Sequence, residues 1–455
     1  MARKSSSRPR SHTSQVAASY APVSRRRLLK NAVVAVGGGA AALLGGPAAA
    51  SGQAGATPAV QASTSGSRRF RAYVRFGTGA SVQELTLRPI GERQVLVRTE
   101  AAQICYSTTQ QALAASAIDD AVIVGHGGVG TVVEVGSKVS RIQVGDRVIV
   151  SGGSQCGECY SCLHGRADRC MTRSGGGPAN VPIADMQNGT PVTGNRGGCS
   201  ELMVAFDEFC VPVFTRVSSV ELAMLHDCGL VGLAATMTIA PVEAGSDVVV
   251  LGAGPLGLSA VQGARIKGAA QIIAVDPVAY RRDAARAMGA TSVFDPNEEG
   301  DELVPKILQL CGGPTDRTLA GGGQTGPDFV IEAVGGDLFP PKVEAGPDPT
   351  GVLSLQQAWQ LCSRTGHVVT TSIGHPPGSV VSFPANQWAN ASKNHHPGNL
   401  AGAKSKRDIP RFVKLIERGL YDAKSLATST FPIERSREAF EAAADRTTIA
   451  AIVVG

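Results

Sequence analysis

Residues 247–276 read DVVVLGAGPLGLSAVQGARIKGAAQIIAVD, and this stretch decides the fold of a large part of the chain. An apolar run leads into a Gly-x-Gly-x-x-Gly turn, a helical pattern follows, and a second apolar run ends at Asp276. Gly252 permits the tight turn, Gly254 lets the backbone approach a pyrophosphate, and Gly257 allows close helix–strand contact. The pattern predicts a dinucleotide-binding unit whose helix start presents free N–H groups to the phosphates.

The residue at the end of the second strand predicts which dinucleotide is bound. Asp276 suits the ribose hydroxyls of NAD and would repel the 2′-phosphate of NADP. The nearby Arg281 and Arg282 leave NADP open as an alternative. The predicted cofactor-binding residues are Gly252, Gly254, Pro255, Leu256, Gly257, Asp276 and Arg281.

Apolar strands alternate with helical segments through residues 229–385. This alternation predicts a parallel, doubly wound α/β sheet of the Rossmann type. Residues 70–228 instead hold short strand patterns punctuated by glycine, which predicts a small, irregular β-barrel.

Four cysteines, at positions 156, 159, 162 and 170, are spaced C-x2-C-x2-C-x7-C. Four thiolates in one short loop suit a tetrahedral structural zinc ion with no open coordination position. A redox dithiol or disulfide pair is the alternative. The closely spaced triplet with a fourth cysteine is a sharper signal than a lone C-x-x-C.

From about residue 70 onward the chain resembles the zinc-containing medium-chain alcohol dehydrogenases. In that family a catalytic cysteine, a Gly-His motif and a structural-zinc loop follow in this order, as Cys105, His126 and the cysteine quartet do here. The resemblance implies that residues 70–228 form a chaperonin-10-like catalytic domain, and that residues 386–455 return to complete it. It further implies an oxidoreductase acting on an alcohol or aldehyde, commonly a homodimer or homotetramer.

Three scattered residues are the candidates for a second, catalytic zinc: Cys105, His126 and Cys228. Two thiolates and one imidazole leave the fourth position open for an alcohol oxygen, whose acidity zinc would raise. The resemblance places at Ser107 a hydroxyl that touches the substrate oxygen and passes its proton outward.

The chain departs from the family in the surroundings of this second site. The glutamate that usually follows the ligand histidine is replaced by Gly127, and the aspartate three residues after the catalytic cysteine by Thr108. Gln110 stands where some members end their proton relay with histidine. Because such outer carboxylates tune metal affinity, a non-catalytic nucleotide-binding or redox-sensing protein that keeps only the structural zinc is the alternative function. A zinc-free reductase is a third interpretation, against which Cys105 and His126 argue.

The first fifty residues differ from the rest in charge. They hold eight of the 43 Lys and Arg residues and no acidic residue, which leaves 35 basic against 37 acidic residues elsewhere. This balance argues against a nucleic-acid partner. Paired arginines at 25–27, a weakly apolar run and Ala48-Ala49-Ala50 resemble a twin-arginine export signal over residues 1–50, followed by a flexible linker, 51–69. The pattern predicts a periplasmic or extracellular protein without stable membrane insertion; an uncleaved anchor or a cytoplasmic enzyme with a basic tail is the alternative.

Overall fold

The computed structural model describes residues 68–172, 181–194, 196–311, 326–398 and 400–455. The predicted signal peptide, 1–50, and positions 51–67 of the predicted linker lie outside the described residues.

Numbered along the chain, the strands are β1 (Arg69–Gly77), β2 (Gly79–Leu87), β3 (Gln94–Gln103), β4 (Ile118–Ile123), β5 (Gly128–Val135), β6 (Arg147–Val150), β7 (Ala184–Met186), β8 (Pro191–Thr193), β9 (Leu202–Phe206), β10 (Cys210–Pro212), β11 (Asp247–Leu251), β12 (Gln271–Val275), β13 (Ser292–Phe294), β14 (Phe329–Glu332), β15 (His367–Thr370), β16 (Asn394–Pro397), β17 (Ser429–Pro432) and β18 (Ala451–Val454). The helices are α1 (Thr109–Leu113), α2 (Tyr160–Leu163), α3 (Ser219–Ala223), α4 (Cys228–Ala234), α5 (Pro255–Lys267), α6 (Ala279–Met288), α7 (Pro296–Glu299), α8 (Leu303–Cys311), α9 (Val352–Leu361), α10 (Ala385–Asn390), α11 (Ser405–Glu417) and α12 (Ser436–Ala444).

The second part of the chain forms a six-stranded parallel sheet in the order β13-β12-β11-β14-β15-β16. Its order reverses on either side of β11, so the carboxyl ends of β11, β12 and β14 face one crevice, where ligands bind in open α/β sheets. The predicted doubly wound sheet is therefore confirmed. Its last strand, β16, lies past residue 385, the domain boundary that the sequence predicts. The sequence does not predict this strand because it is short and polar and has no apolar run.

The first part of the chain forms two further sheets. Strands β1-β2-β7-β8-β4 close into a barrel, and β10-β6-β5-β3-β18-β17 form a second sheet with β9 paired to β3. The predicted barrel is confirmed. Strands β17 and β18 come from the C-terminal end and pair with β3 through β18, as the resemblance implies.

Helix α5 begins and ends at residues suited to those positions. Gly254 is the N-cap, Pro255 occupies the first turn, and Gly268 ends the helix in a left-handed conformation with φ of +83°. Proline is pre-organised for a first turn, and glycine reaches positive φ without a Cβ clash. The helix start is thereby held against the carboxyl end of β11.

One hydrophobic core joins the two parts. Val129 of β5, Leu230 of α4 and Val248 of β11 belong to the same buried cluster. In the part of the chain that the structure describes, no single helix is long and apolar enough to cross a membrane; Ser219–His226 and Cys228–Ile239 pass that test only as a pair bent by 58°.

Candidate active site and metal centres

The cysteine quartet converges on one point. The four sulfur atoms lie within 4.8 Å of one another, with Cys156 Sγ 4.0 Å from Cys162 Sγ and Cys159 Sγ 3.9 Å from Cys170 Sγ. A tetrahedral zinc with Zn–S bonds of about 2.3 Å places its sulfurs about 3.8 Å apart. All ten cysteines of the chain are free, so the quartet holds no disulfide. The arrangement fits the predicted structural zinc.

Backbone N–H groups in this loop donate hydrogen bonds to the cysteine sulfurs, which stabilises their thiolate form. Cys159 N donates to Cys156 Sγ at 3.3 Å, and Met171 N donates to Cys159 Sγ at 3.4 Å. The Met171 hydrogen bond is the largest of the effects that lower the pKa of Cys159 to about 6. A thiolate is the form that binds metal.

A second cluster lies where three distant segments meet. Cys105 follows β3, His126 lies in the turn between β4 and β5, and Asp227 precedes α4. Their ligand atoms all lie within 4.8 Å of one another. The sequence predicted the first two residues of this group but not Asp227, which stood unremarked in His-Asp-Cys-Gly.

Cys228, the predicted third ligand, lies beside this group. Its Sγ is 3.6 Å from Asp227 Oδ2 and 3.1 Å from Gln103 Nε2. Gln103 Oε1 also accepts a hydrogen bond of 3.4 Å from the Cys228 backbone N–H. The structure thus brings Cys228 to the site, and its role as a ligand stays a prediction.

The titratable groups of this cluster shift one another's pKa values. A hydrogen bond from the Cys228 thiol lowers the pKa of Cys105 to about 7. Burial disfavours a charged imidazole, but the Asp227 carboxylate and the Cys105 sulfur together outweigh it and raise the pKa of His126 to about 9. Burial likewise disfavours the Asp227 carboxylate, but the charge of His126 lowers its pKa. The pocket therefore concentrates groups that hold charge in spite of burial, as functional sites do.

His126 presents its two ring nitrogens to different surroundings. Nε2 lies 3.6 Å from Asp227 Oδ2, whereas Nδ1 is buried and has no hydrogen-bond partner among the described residues. A metal-binding histidine normally donates from its second nitrogen to a carboxylate or carbonyl. Thr108 is not that acceptor, since no hydrogen bond joins it to Nδ1; its hydroxyl donates to the Cys105 carbonyl at 2.8 Å.

The predicted relay residue lies at the same site. Ser107 Oγ is 3.0 Å from Cys105 Sγ, and Ser107 lines the cavity that contains Cys105 and His126. Its hydroxyl is therefore placed to touch a substrate oxygen bound next to that sulfur.

The glycine turn has the geometry that its sequence predicts. Gly252 has φ of +90°, and a Cβ on Gly257 would lie 1.8 Å from the Gly252 carbonyl oxygen. Within the described part of the chain, a Cβ on Gly254 would meet only Arg281 Nη1, at 3.9 Å. The protein's own packing thus requires two of the three glycines, while the third leaves a space open in the cleft. That space fits a pyrophosphate at the helix start.

Asp276 lies at the far end of this cleft. Its Oδ2 accepts from Ala253 N at 2.7 Å and its Oδ1 from Val278 N at 2.9 Å, which orients the carboxylate. Arg281 lines the cavity, whereas Arg282 forms a 2.8 Å ion pair with Asp295. One of the two arginines that left NADP open is therefore committed elsewhere.

One cavity of about 370 Å³ connects both ends of the site. Its walls include Cys105 and His126 at one end and Gly254 and Asp276 at the other. A dinucleotide lying along the cleft would thus bring its reactive ring to the metal cluster.

Residues 336–350, which we call the strap, close one side of this cavity. The strap runs between β14 and α9, and Asp337, Gly346, Pro347 and Asp348 face the cavity. Asp337 pairs with Arg446, and both side chains are largely buried. Asn297 Nδ2 donates to Ala345 O at 2.9 Å on the opposite side. The sequence of the strap is rich in Gly and Pro and has no periodic pattern from which it could be predicted.

Two family models match the chain. The alcohol dehydrogenase GroES-like domain matches residues 91–215, and the zinc-binding dehydrogenase domain matches residues 255–418. Together these ranges span more than half of the 455 residues. The chain belongs to the zinc-type medium-chain alcohol dehydrogenase family.

Relatives of known description extend the match to most of the chain. An NDMA-dependent alcohol dehydrogenase from Amycolatopsis methanolica is 28% identical over 395 residues, 83% of this chain and 96% of that protein. An S-(hydroxymethyl)glutathione dehydrogenase from Escherichia coli O139:H28 is 26% identical over 391 residues, 82% of this chain and 96% of that protein. Both relatives are dehydrogenases, which supports an oxidoreductase.

Solved structures of the family share the fold. An alcohol dehydrogenase zinc-binding domain protein from Burkholderia ambifaria superposes with a TM-score of 0.71 at 23% identity, covering 86% of this chain and 99% of that one. Benzyl alcohol dehydrogenase from Acinetobacter calcoaceticus gives 0.70 at 23% identity, covering 85% and 99%. A zinc-binding dehydrogenase from Sinorhizobium meliloti 1021, bound to NADP, gives 0.64 at 22% identity, covering 85% and 100%.

Proposed function

We propose that this alcohol dehydrogenase family member is a zinc-dependent oxidoreductase that transfers a hydride between an alcohol or aldehyde and NAD. The single observation that carries the proposal is the continuous cavity, which contains the Cys105–His126 cluster and the Gly254–Asp276 nucleotide cleft. Hydride transfer needs the two reactants within contact distance, and one shared cavity provides this.

The donor set at the first end suits zinc. A thiol, an imidazole and a carboxylate lie within 4.8 Å of one another, and all three are groups that bind zinc in proteins. When bound there, zinc supplies Lewis acidity that makes an alcohol hydroxyl easier to deprotonate. Cys105 and His126 would hold the ion, together with Cys228 as the sequence predicts or with its neighbour Asp227.

Ser107 would then handle the proton. Its hydroxyl lies 3.0 Å from Cys105 Sγ, within reach of an oxygen bound beside that sulfur. It would accept the alcohol proton and pass it toward the cleft while the hydride leaves the carbon for the nicotinamide. Gln110 stands where some relatives carry a relay histidine, so water would complete the path.

The nucleotide end favours NAD. The buried Asp276 carboxylate would accept hydrogen bonds from ribose hydroxyls and repel a 2′-phosphate. Arg281 remains at the cleft, which is the feature that keeps NADP as the competing cofactor.

The strap supports a further part of the proposal, that the cofactor is held tightly. It is attached to Arg446 and Tyr106 on the barrel side and to Asn297 on the nucleotide side. A nucleotide in the cleft would lie against the strap, and contacts that hold the strap in place would slow its dissociation. A retained cofactor would have to be recycled in place by an external electron acceptor.

Retention also agrees with the export signal predicted for residues 1–50. The twin-arginine route carries folded proteins, and free NAD is scarce outside the cytoplasm. We therefore propose a periplasmic or extracellular enzyme that carries its cofactor with it. Assembly as a homodimer or homotetramer is part of the proposal, and the mass in solution tests it.

Protein purified from the exported fraction provides the decisive test. We expect about two zinc ions per chain, one nucleotide released on denaturation, and alcohol oxidation with an artificial acceptor, NDMA included, without added NAD. One zinc ion per chain together with no turnover would instead support the nucleotide-binding or redox-sensing alternative. An empty nucleotide cleft would contradict retention, and protein found only in the cytoplasm would contradict export.

A further inference from the structure

The metal cluster lacks the two carboxylates usual in its family, and the structure explains one of these losses. Gly127 has φ of +147°, and a Cβ there would lie 2.3 Å from the Val150 carbonyl oxygen. No side chain can therefore follow His126 at this position without moving the strand. Any carboxylate near the metal site therefore comes from another segment.

Asp227 brings that charge from the start of α4. Its Oδ2 lies 3.6 Å from His126 Nε2, and its side chain is only 14% exposed. It approaches Nε2, the nitrogen that faces the cluster, and not the buried Nδ1 behind it. This is the placement of a group sharing an ion with the imidazole, whereas an orienting carboxylate would contact the opposite nitrogen.

Cys228 contacts two members of the same cluster, since its thiol hydrogen-bonds Cys105 and lies 3.6 Å from Asp227 Oδ2. Both its sulfur and its backbone N–H are bonded to the side chain of Gln103, at 3.1 and 3.4 Å. Gln103 thereby fixes the Cys228 thiol, which does not belong to the group of Cys105, His126 and Asp227 whose ligand atoms all lie within 4.8 Å of one another.

We propose that Asp227 is a ligand of the catalytic metal ion, the oxygen donor in a set with Cys105 and His126. The proposal rests on the proposed function, which requires a metal at this cluster. One thiolate and one carboxylate neutralise a divalent ion as fully as two thiolates do, so the site keeps its ability to acidify an alcohol. Carboxylate oxygen is an ordinary zinc donor.

Cobalt spectroscopy tests this assignment without relying on activity. Zinc is removed from the full-length protein, cobalt(II) is titrated back, and the ligand-field bands and stoichiometry are recorded for wild type, D227N, C228S and the control D283N. Asp283 is an exposed aspartate of α6 that pairs with Arg286. The cysteine quartet provides an internal reference spectrum, and circular dichroism verifies folding of each variant.

We expect wild type and D283N to bind two cobalt ions per chain. D227N should keep the quartet spectrum and lose at least 100-fold in affinity at the second site, with shifted bands in any ion that still binds, because removal of an outer carboxylate alone costs about 10- to 100-fold. C228S should keep its second ion more firmly than D227N does. Unchanged bands in D227N, whatever its affinity, would overturn the proposal, as would metal loss from C228S alone. A single cobalt ion in wild type would instead contradict the proposed function.

Discussion

The backbone N–H of Leu338 donates a 2.9 Å hydrogen bond to the hydroxyl of Tyr106, so the strap is joined to the residue that follows the metal-site cysteine. Phe339 N donates to the same hydroxyl at 3.4 Å, and the guanidinium of Arg446 lies 5.5 Å from the Tyr106 ring centroid. Tyr106 therefore connects the strap, which lies against the nucleotide cleft, to the segment that carries Cys105.

Breaking the buried anchor of the strap should release the cofactor. D337N leaves Arg446 with a weakened partner in a site where both side chains are less than 15% exposed. Removing the charge of one partner of a buried ion pair destabilises the contact that holds the strap. We therefore expect nucleotide dissociation to accelerate about tenfold or more. K342A is the matched control, since Lys342 pairs with Asp445 while 71% exposed, and such exposed pairs contribute little. Stopped-flow release of bound nucleotide measures both; equal rates in D337N and wild type would show that the strap does not retain it.

The three glycines of the nucleotide turn should respond differently to alanine. In G257A the new Cβ would lie 1.8 Å from the Gly252 carbonyl oxygen, so the protein should lose about 3 kcal/mol of unfolding free energy. In G254A the Cβ meets open cleft, so stability should fall by no more than about 1 kcal/mol, the cost of an N-cap change. NAD affinity should nevertheless fall at least tenfold in G254A. Denaturant unfolding and calorimetric titration measure the two quantities; normal NAD affinity in G254A would mean that the pyrophosphate lies elsewhere.

Removing the carboxylate at the end of β12 should relax cofactor choice. Asp276 is 4% exposed, and its charge would repel a 2′-phosphate. In D276S we expect the ratio of NAD to NADP affinity to fall about tenfold, equivalent to about 1.4 kcal/mol. D295N is a control because Asp295 contacts Arg282 at the same edge. A preference for NADP already present in wild type would contradict the assignment.

The cysteine quartet should stabilise the fold through its metal. C159S removes one of four converging sulfurs, and we expect loss of about one zinc per chain and of about 4 kcal/mol of stability. C311S changes a buried cysteine of α8 that is not part of the quartet, and this variant should keep its zinc. Metal analysis and thermal unfolding distinguish them, and full zinc content in C159S would refute the structural site.

Ser107 should matter for turnover and not for metal binding. S107A removes the hydroxyl beside Cys105 Sγ, and we expect kcat to fall about 100-fold or more, the usual value of a lost proton acceptor. S107T keeps a hydroxyl and should recover most of the rate. Equal rates in S107A and wild type would place the proton path elsewhere, and a change in zinc content would mark a structural effect.

Much of this architecture is readable from the sequence because its signals are local. The glycine turn, with its preceding strand and following helix, lies within thirty residues, and its backbone requirements act between neighbours. The cysteine quartet spans positions 156–170, so spacing alone limits which sulfurs can meet. Strand β16 escaped prediction because the polar sequence of Asn394–Pro397 has no apolar period.

By itself the sequence determined the two-part fold, the nucleotide turn and the cysteine quartet, since each depends on periodicity or spacing over short distances. Only the tertiary structure decided that Asp227 meets Cys105 and His126, and that the strap reaches Tyr106 and Arg446. The reason is geometric: Asp227 and Cys228 are adjacent in sequence, but how their side chains meet Cys105 and His126 depends on how α4 packs against a strand more than 100 residues earlier. Sequence spacing carries no information about that orientation.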